Sequence, residues 1–274
     1  MRTLLRFYQY INVLSLDIVA GAVISALFFA KIFQVQVKPH GLTALALTVW
    51  IVYTVDHLRD AKKIKHPAST QRHRFHQQHF YFMVAFLALA IVLDAVTIFF
   101  IRRQVFEWGL ILSAIVILYL MAEQSLRFLK EFFIAALYTC GILLLSITVT
   151  PITLGLTHYL LILQFGCIAW INLVLFSWFD QVFDLQDEQS SFVTIVGEGT
   201  TQYFLYGIFA FSFCLTILEL ILAGPFIPVL ILFTMNAVLL LVFVWRTTLA
   251  KNDLYRIIGD AVFMFPVILL IYHE

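Results

Sequence analysis

The sequence predicts an all-α, polytopic membrane protein with nine transmembrane helices. Three observations carry that expectation. Hydrophobic residues make up 62% of the 274-residue chain and charged residues only 12%, about half the charge of an ordinary water-soluble domain. The apolar residues fall in runs of about 17–25, the length that crosses a hydrocarbon core ~30 Å thick. Lysine and arginine gather in alternate connections between those runs, as they do in chains threaded back and forth through a bilayer.

The runs lie near residues 11–33, 40–60, 80–101, 105–122, 128–150, 154–179, 201–223, 226–245 and 255–272. Breaks fall at Lys38-Pro39, Arg102-Arg103, Thr150-Pro151 and Ala223-Gly224-Pro225. Proline lacks the N–H that a helix interior needs, and Gly-Pro steps punctuate helices. Cys140, Cys167 and Cys214 all lie inside apolar runs and read as packing residues rather than a disulfide frame. The first run reaches a full spanning length without a small-residue cleavage site, so a cleavable signal is not expected.

Four connections, at the N-terminus (Arg2, Arg6), after the second run (Arg59, Lys62, Lys63, Lys65, Arg72, Arg74), after the fourth (Arg127, Lys130) and after the eighth (Arg246, Lys251, Arg256), hold thirteen cations. The opposite side holds four, Lys31, Lys38, Arg102 and Arg103. This bias places the N-terminus in the cytoplasm and the C-terminus outside, and it supports an odd number of spans. An integral, multi-pass location, a bacterial inner membrane, is the expected one. No nucleic-acid partner is expected, and the net charge of +1 says nothing of oligomeric state.

The chemistry concentrates at two short stretches, Asp56-His57-Leu58-Arg59-Asp60 and Asp180-Gln181-Val182-Phe183-Asp184. Each holds two aspartates at i, i+4, on one helix face a turn apart. They close the second and sixth runs, so both leave the membrane on the cytoplasmic side. A charge at the centre of a membrane helix costs about 2.5–3.5 kcal/mol on insertion scales, so such groups face protein or water. A lone aspartate at a helix end most often only marks the water boundary. The same pair occurring twice on one side, with Asp187 adding a carboxylate one turn beyond the second, argues for a shared cation. Facing carboxylates suit Mg²⁺, a hard ion that takes one or two carboxylates together with substrate phosphates. The neighbouring connections supply cations for a diphosphate, among them Arg59, Lys62, Arg72, Arg127 and Lys130.

These residues resemble those of the UbiA superfamily of intramembrane prenyltransferases, whose members have nine transmembrane helices, an Asn-x-x-x-Asp-x-x-x-Asp motif after the second and an Asp-x-x-x-Asp motif after the sixth. Asp56 and Asp60 match the acidic positions of the first motif, Asp180 and Asp184 the second, and Leu129-Lys130 resembles the step that contacts diphosphate. The resemblance spans the chain as a single domain, 1–274, with cytoplasmic cap loops near 61–79 and 185–200. It departs at Val52, where the family has Asn, and at Tyr53, often Asp; Asn172 on the sixth helix is a candidate to fill that gap.

The resemblance implies a central cavity open to the cytoplasmic side and a Mg²⁺-dependent prenyltransferase that ionises a prenyl diphosphate and passes the prenyl group to an aromatic or other lipophilic acceptor. It implies catalytic and metal-ligating roles for Asp56, Asp60, Asp180 and Asp184, with Asp187 a further ligand. Substrate contacts would come from Arg59, Lys62, Arg72, Arg127, Lys130, Tyr53 and Asn172. Asp17 is expected to line the same cavity or to pair with a neighbouring helix, and Asp260 in the last run is a further acid inside an apolar stretch. The histidines around the first loop, His57, His66, His73, His76 and His79, fit no single helix face and read as solvated. The alternatives are a cation- or proton-coupled transporter, whose charged groups usually lie at the midplane on broken helices, and a family member without catalysis.

Overall fold

A computed structural model describes residues 2–271, and their side chains apart from those of 2–7, 123 and 124. Arg2 and Arg6, counted toward topology above, lie outside the described side chains, and Tyr272, the end of the last expected span, lies outside the described residues. Helices account for almost all of the rest: α1 (Arg2–Val13), α2 (Leu16–Ile32), α3 (Pro39–Lys63), α4 (Gln71–Gln78), α5 (Phe80–Thr97), α6 (Arg103–Leu126), α7 (Lys130–Ile147), α8 (Leu156–Gln186), α9 (Phe192–Val196), α10 (Glu198–Ile221), α11 (Phe226–Val244), α12 (Arg246–Leu249), α13 (Leu254–Ala261) and α14 (Val267–Ile271).

Eight helical segments among the described residues are long and apolar enough to cross a membrane, which makes the chain an integral, multi-pass membrane protein. The expected count of nine is not reached by length and composition, because the first expected run is divided. Ser15, in the left-handed region at φ 57°, separates α1 from α2, which keeps only 17 residues. The last segment, Lys251–Ile271, is bent where Pro266 interrupts α13 from α14. The other breaks fall where the sequence puts them: Pro39 is the first residue of α3, where its missing N–H costs nothing, and Ala223-Gly224-Pro225 separates α10 from α11.

The long helix α8 is the central post. It is buried along most of its length and packs on α7, α10, α11 and α13. α2 lies against α3, α7, α13 and α14, and Phe28, Phe29 and Phe33 meet Phe165 of α8 in a fully buried aromatic core. α5 packs on α3 and α6 on α7, and both turn large apolar side chains outward, among them Tyr81, Phe86, Ile117 and Leu118. That surface suits lipid rather than water. At about 1.5 Å per residue, the 25-residue α3 and 31-residue α8 reach about 37 and 46 Å, so their acidic ends stand beyond the hydrocarbon.

Two loops close that end. In the first, the Gln77 side-chain nitrogen donates to the carbonyls of Ala61, Ile64 and His66 while its oxygen accepts from Ala68 N at 2.9 Å. In the second, Phe192 N donates to Glu131 Oε1 at 2.6 Å and Val193 N to Ser177 Oγ at 3.1 Å. The loops are tied to each other through Asp187, which accepts from Ser69 N and from Ser69 Oγ at 2.7 Å.

The packing of α2 on the last segment leaves no room at Gly21, where an added Cβ would lie 2.8 Å from Phe263 Cβ. Overpacking of this kind costs about 1–3 kcal/mol. Gly21→Ala is therefore expected to lower the unfolding midpoint in detergent micelles, and an unchanged midpoint would show that the two segments pack less closely.

Candidate active site

Both acidic pairs open onto one cavity of about 1240 Å³, lined by Asp56 and Asp60 of α3 and by Asp180 and Asp184 of α8. Residues 124 positions apart in sequence, Asp56 and Asp180, thus share one space because α3 and α8 run through the bundle in the same sense and end together under the loops. From there the cavity extends into an apolar arm between α3, α5 and α6, with Ile98, Phe106, Leu110 and Val116 among its walls.

Asp60, Asp180 and Asp184 are each met by cations. Asp60 accepts from Lys63 Nζ at 2.8 Å and lies in the field of Lys130. Asp184 lies in the fields of Lys130 and Arg256, so Lys130 acts electrostatically on both helices. Asp180 forms an ion pair with Arg256 of α13 and accepts a hydrogen bond from the Tyr255 hydroxyl. Tyr255 is stacked on Phe179 at 4.2 Å between ring centres, and the Arg256 guanidinium lies 5.0 Å from the Phe176 ring. Apolar side chains thereby fix the two groups that hold Asp180.

Among the described residues no three acidic, histidine or cysteine side chains converge into a ready-made metal cage. The donor set is nonetheless the right one for Mg²⁺. It consists of carboxylates paired with cations, and Mg²⁺ is ordinarily held by one or two carboxylates plus phosphate oxygens and water. A bound diphosphate would bring the missing oxygens and compete for the same cations.

The other sequence-predicted site residues divide. Tyr53, Arg72, Lys130 and Asn172 line the cavity; Arg59, Lys62, Arg127 and Asp187 do not. Lys62 and Arg127 are exposed, and Asp187 is taken up in joining the two loops through Ser69. Val52 lines the wall as an apolar residue. Asn172 is buried with its Oδ1 unpartnered. His57 and His73 also line the cavity, and with His76 they form a packed group, the His57 ring 5.2 Å from that of His76 and 6.2 Å from that of His73. Burial rather than solvation governs this group: it pushes His73 down to about 4 and also lowers His76. Arg256 and Tyr255 were not anticipated as site residues. The only local signal was a cation in the last apolar run, and its partner lies 76 residues earlier.

No family model matches the chain, and no curated protein matches its sequence. Its structure does have counterparts. It superposes on a UbiA homologue from Archaeoglobus fulgidus bound to GPP and Mg²⁺ with a TM-score of 0.66 at 13% identity, over 95% of this chain and 99% of that one. The same homologue bound to DMAPP and Mg²⁺ gives 0.65 at 13% identity, over 95% and 98%. The apo structure of a UbiA homologue from Aeropyrum pernix K1 gives 0.65 at 12% identity, over 94% and 98%. The chain is thus an all-helical membrane protein that superposes on these structures over nearly its whole length. Its fold is that of the UbiA homologues.

Removing Arg256 would strand the buried Asp180 carboxylate, a loss that costs about 3 kcal/mol in comparable pairs. Arg256→Gln is expected to lower the unfolding midpoint in detergent, and adding Asp180→Asn to recover much of the loss. If the double variant falls by the sum of the single effects, the two groups are not coupled.

Proposed function

We propose that the chain is a Mg²⁺-dependent prenyltransferase of the UbiA superfamily, which takes a prenyl diphosphate and transfers its prenyl group to a lipophilic acceptor. The observation that carries this reading is the convergence of Asp56, Asp60, Asp180 and Asp184 on one cavity that also has an apolar arm. A cation- and phosphate-binding mouth joined to a lipophilic channel matches a molecule with a diphosphate head and an isoprenoid tail. The fold shared with homologues bound to DMAPP or GPP and Mg²⁺ supports it. The bias of lysine and arginine puts the mouth on the cytoplasmic side.

The four aspartates would hold Mg²⁺, which when bound supplies charge neutralisation to the departing diphosphate. Lys130, in the field of both Asp60 and Asp184, is placed to meet diphosphate oxygens directly. Arg256 and Tyr255 hold Asp180 in position and keep its carboxylate facing the mouth. As the bond from C1 to the diphosphate oxygen breaks, positive charge develops on the allylic carbon. Tyr53, Tyr138, Phe176 and Phe263 line the cavity beside the mouth, and aromatic faces attract such a charge and exclude water. The position of Val52 leaves the first motif one polar oxygen short, so Asn172 and water would complete the polar shell.

In lipid nanodiscs with Mg²⁺, geranyl diphosphate and a lipophilic acceptor, the protein is expected to release pyrophosphate. Asp56→Ala or Asp180→Ala should reduce the rate by at least about a hundredfold, the scale on which loss of transition-state charge stabilisation acts. Absence of any metal-dependent binding of geranyl diphosphate to the wild-type protein would refute the reading.

A further inference from the structure

The apolar arm has a definite length and a closed end. Its lining follows one face of each of three helices, from Asp56 to Gly41 on α3, from Leu120 to Val105 on α6 and from Lys130 to Leu145 on α7. Each stretch advances by the same number of residues from the acidic mouth toward the opposite side of the membrane, about 22 Å at the helical rise. There the space ends. Gly41, Ile101, Val105 and Leu145 border the cavity on one side and, on the other, a separate void of about 20 Å³ completed by Gln36, Val37, Lys38 and Arg102. Val105 and Leu145 are buried, and a Cβ added at Gly41 would lie 3.3 Å from Leu145 Cδ2. The lack of a side chain at residue 41 thus lets α3 and α7 close over the end, with two cations behind it.

The wall between mouth and end suits hydrocarbon. Past Glu131 at the mouth, the described residues of α3, α5, α6 and α7 place one carboxylate on it, Asp94 of α5. Both oxygens of Asp94 are taken, Oδ2 by Thr48 Oγ1 at 3.0 Å and Oδ1 by Thr97 Oγ1 at 3.2 Å, so a chain passing there meets no unsatisfied acceptor on that residue. Farther along, Gly141 of α7 lines the cavity about 16 Å beyond Lys130 at the helical rise, and an added Cβ there would meet nothing within 4 Å. An extended trans isoprenoid advances about 5 Å per five-carbon unit, from the length of its carbon–carbon bonds. Four units therefore span about 20 Å and fill the arm, two reach about halfway, and a fifth exceeds it.

We propose that the prenyl donor of this chain carries a tail of four isoprene units, and that the closed end at Gly41, Val105 and Leu145 sets this length. The assignment rests on the prenyltransferase reading, which puts the diphosphate at the acidic mouth. The first unit then lies beside the mouth among the aromatic rings, the third passes Gly141, and the fourth reaches the end. A two-unit tail leaves the far half of the arm unused, and a fifth unit finds no further wall to contact. Gly141 keeps the arm open along its way, and Gly41 determines where it stops.

The test uses the full chain in nanodiscs with Mg²⁺ and unreactive thio analogues of the diphosphates with two, three, four and five isoprene units. Each affinity is corrected for partition into empty nanodiscs, because lipid tails are themselves apolar. Affinity is expected to rise from two units to four and to level off at five. Gly141→Leu should weaken the three- and four-unit analogues about tenfold, the scale of one overpacked side chain, and leave the two-unit analogue within about twofold. Gly41→Leu should weaken the four-unit analogue about tenfold and spare both shorter ones. A gain that continues to five units, equal losses at every tail length, or no loss in either variant would overturn the assigned length. Lack of Mg²⁺-dependent binding of any analogue to the wild-type protein would instead defeat the prenyltransferase reading itself. Binding of the two-unit analogue reports that each variant is folded, and should Gly41→Leu fail to fold, Gly141→Leu and the wild-type series still decide the matter.

Discussion

Four carboxylates at one end of an apolar bundle repel one another and resist removal from water, so the structure around them is organised to neutralise them. Lys63 lies against Asp60, Arg256 against Asp180, and Lys130 in the field of both helices. The rest of the acidic end follows from placing those cations. Tyr255 and Phe176 hold Arg256, α9 is pinned through Glu131 beside Lys130, and the loop before α4 is tied to the one after α8 through Ser69 and Asp187. The same arrangement is suited to release. An ion and a diphosphate together carry the charges that these side chains now exchange among themselves, so binding would replace one balanced set with another rather than create a bare charge.

Much of the fold was legible in composition and run length, because a membrane protein must satisfy its backbone within helices and show lipid an apolar surface. The two acidic pairs were legible for a related reason: polar groups are scarce in such a chain, and a repeated i, i+4 spacing on one side of the membrane is easily seen. What the sequence did not show was which cation meets which acid. Arg256 reads as a topology determinant until the bent last segment brings it to Asp180, and Lys62 and Arg127 read as equal candidates until the structure leaves them exposed and outside the cavity. Asp187 looked like a continuation of the second motif at i, i+7. It falls at the end of α8, and its carboxylate turns to the other loop.

The division of the first span had no clear local signal either. Ser15 is an unremarkable residue in sequence, yet its left-handed conformation separates α1 from α2, and that break carries Asn12 and Asp17 to the wall where Asp260 arrives from the opposite end of the chain. Asp17 and Asp260 were each visible as acids inside apolar runs. Only the fold makes them a pair, through the two protons of one amide.

In the proposed reaction α3 and α8 together hold a metal ion and a diphosphate between their acidic pairs. The most direct measurement is an experimental structure determined with Mn²⁺ in place of Mg²⁺ and an unreactive thio analogue of geranyl diphosphate, using anomalous scattering to locate the metal. Metal peaks are expected between the diphosphate and the carboxylates of both helices, with Asp56 or Asp60 on one side and Asp180 or Asp184 on the other. A diphosphate bound by lysine and arginine alone, or metal bound to only one of the two helices, would contradict it.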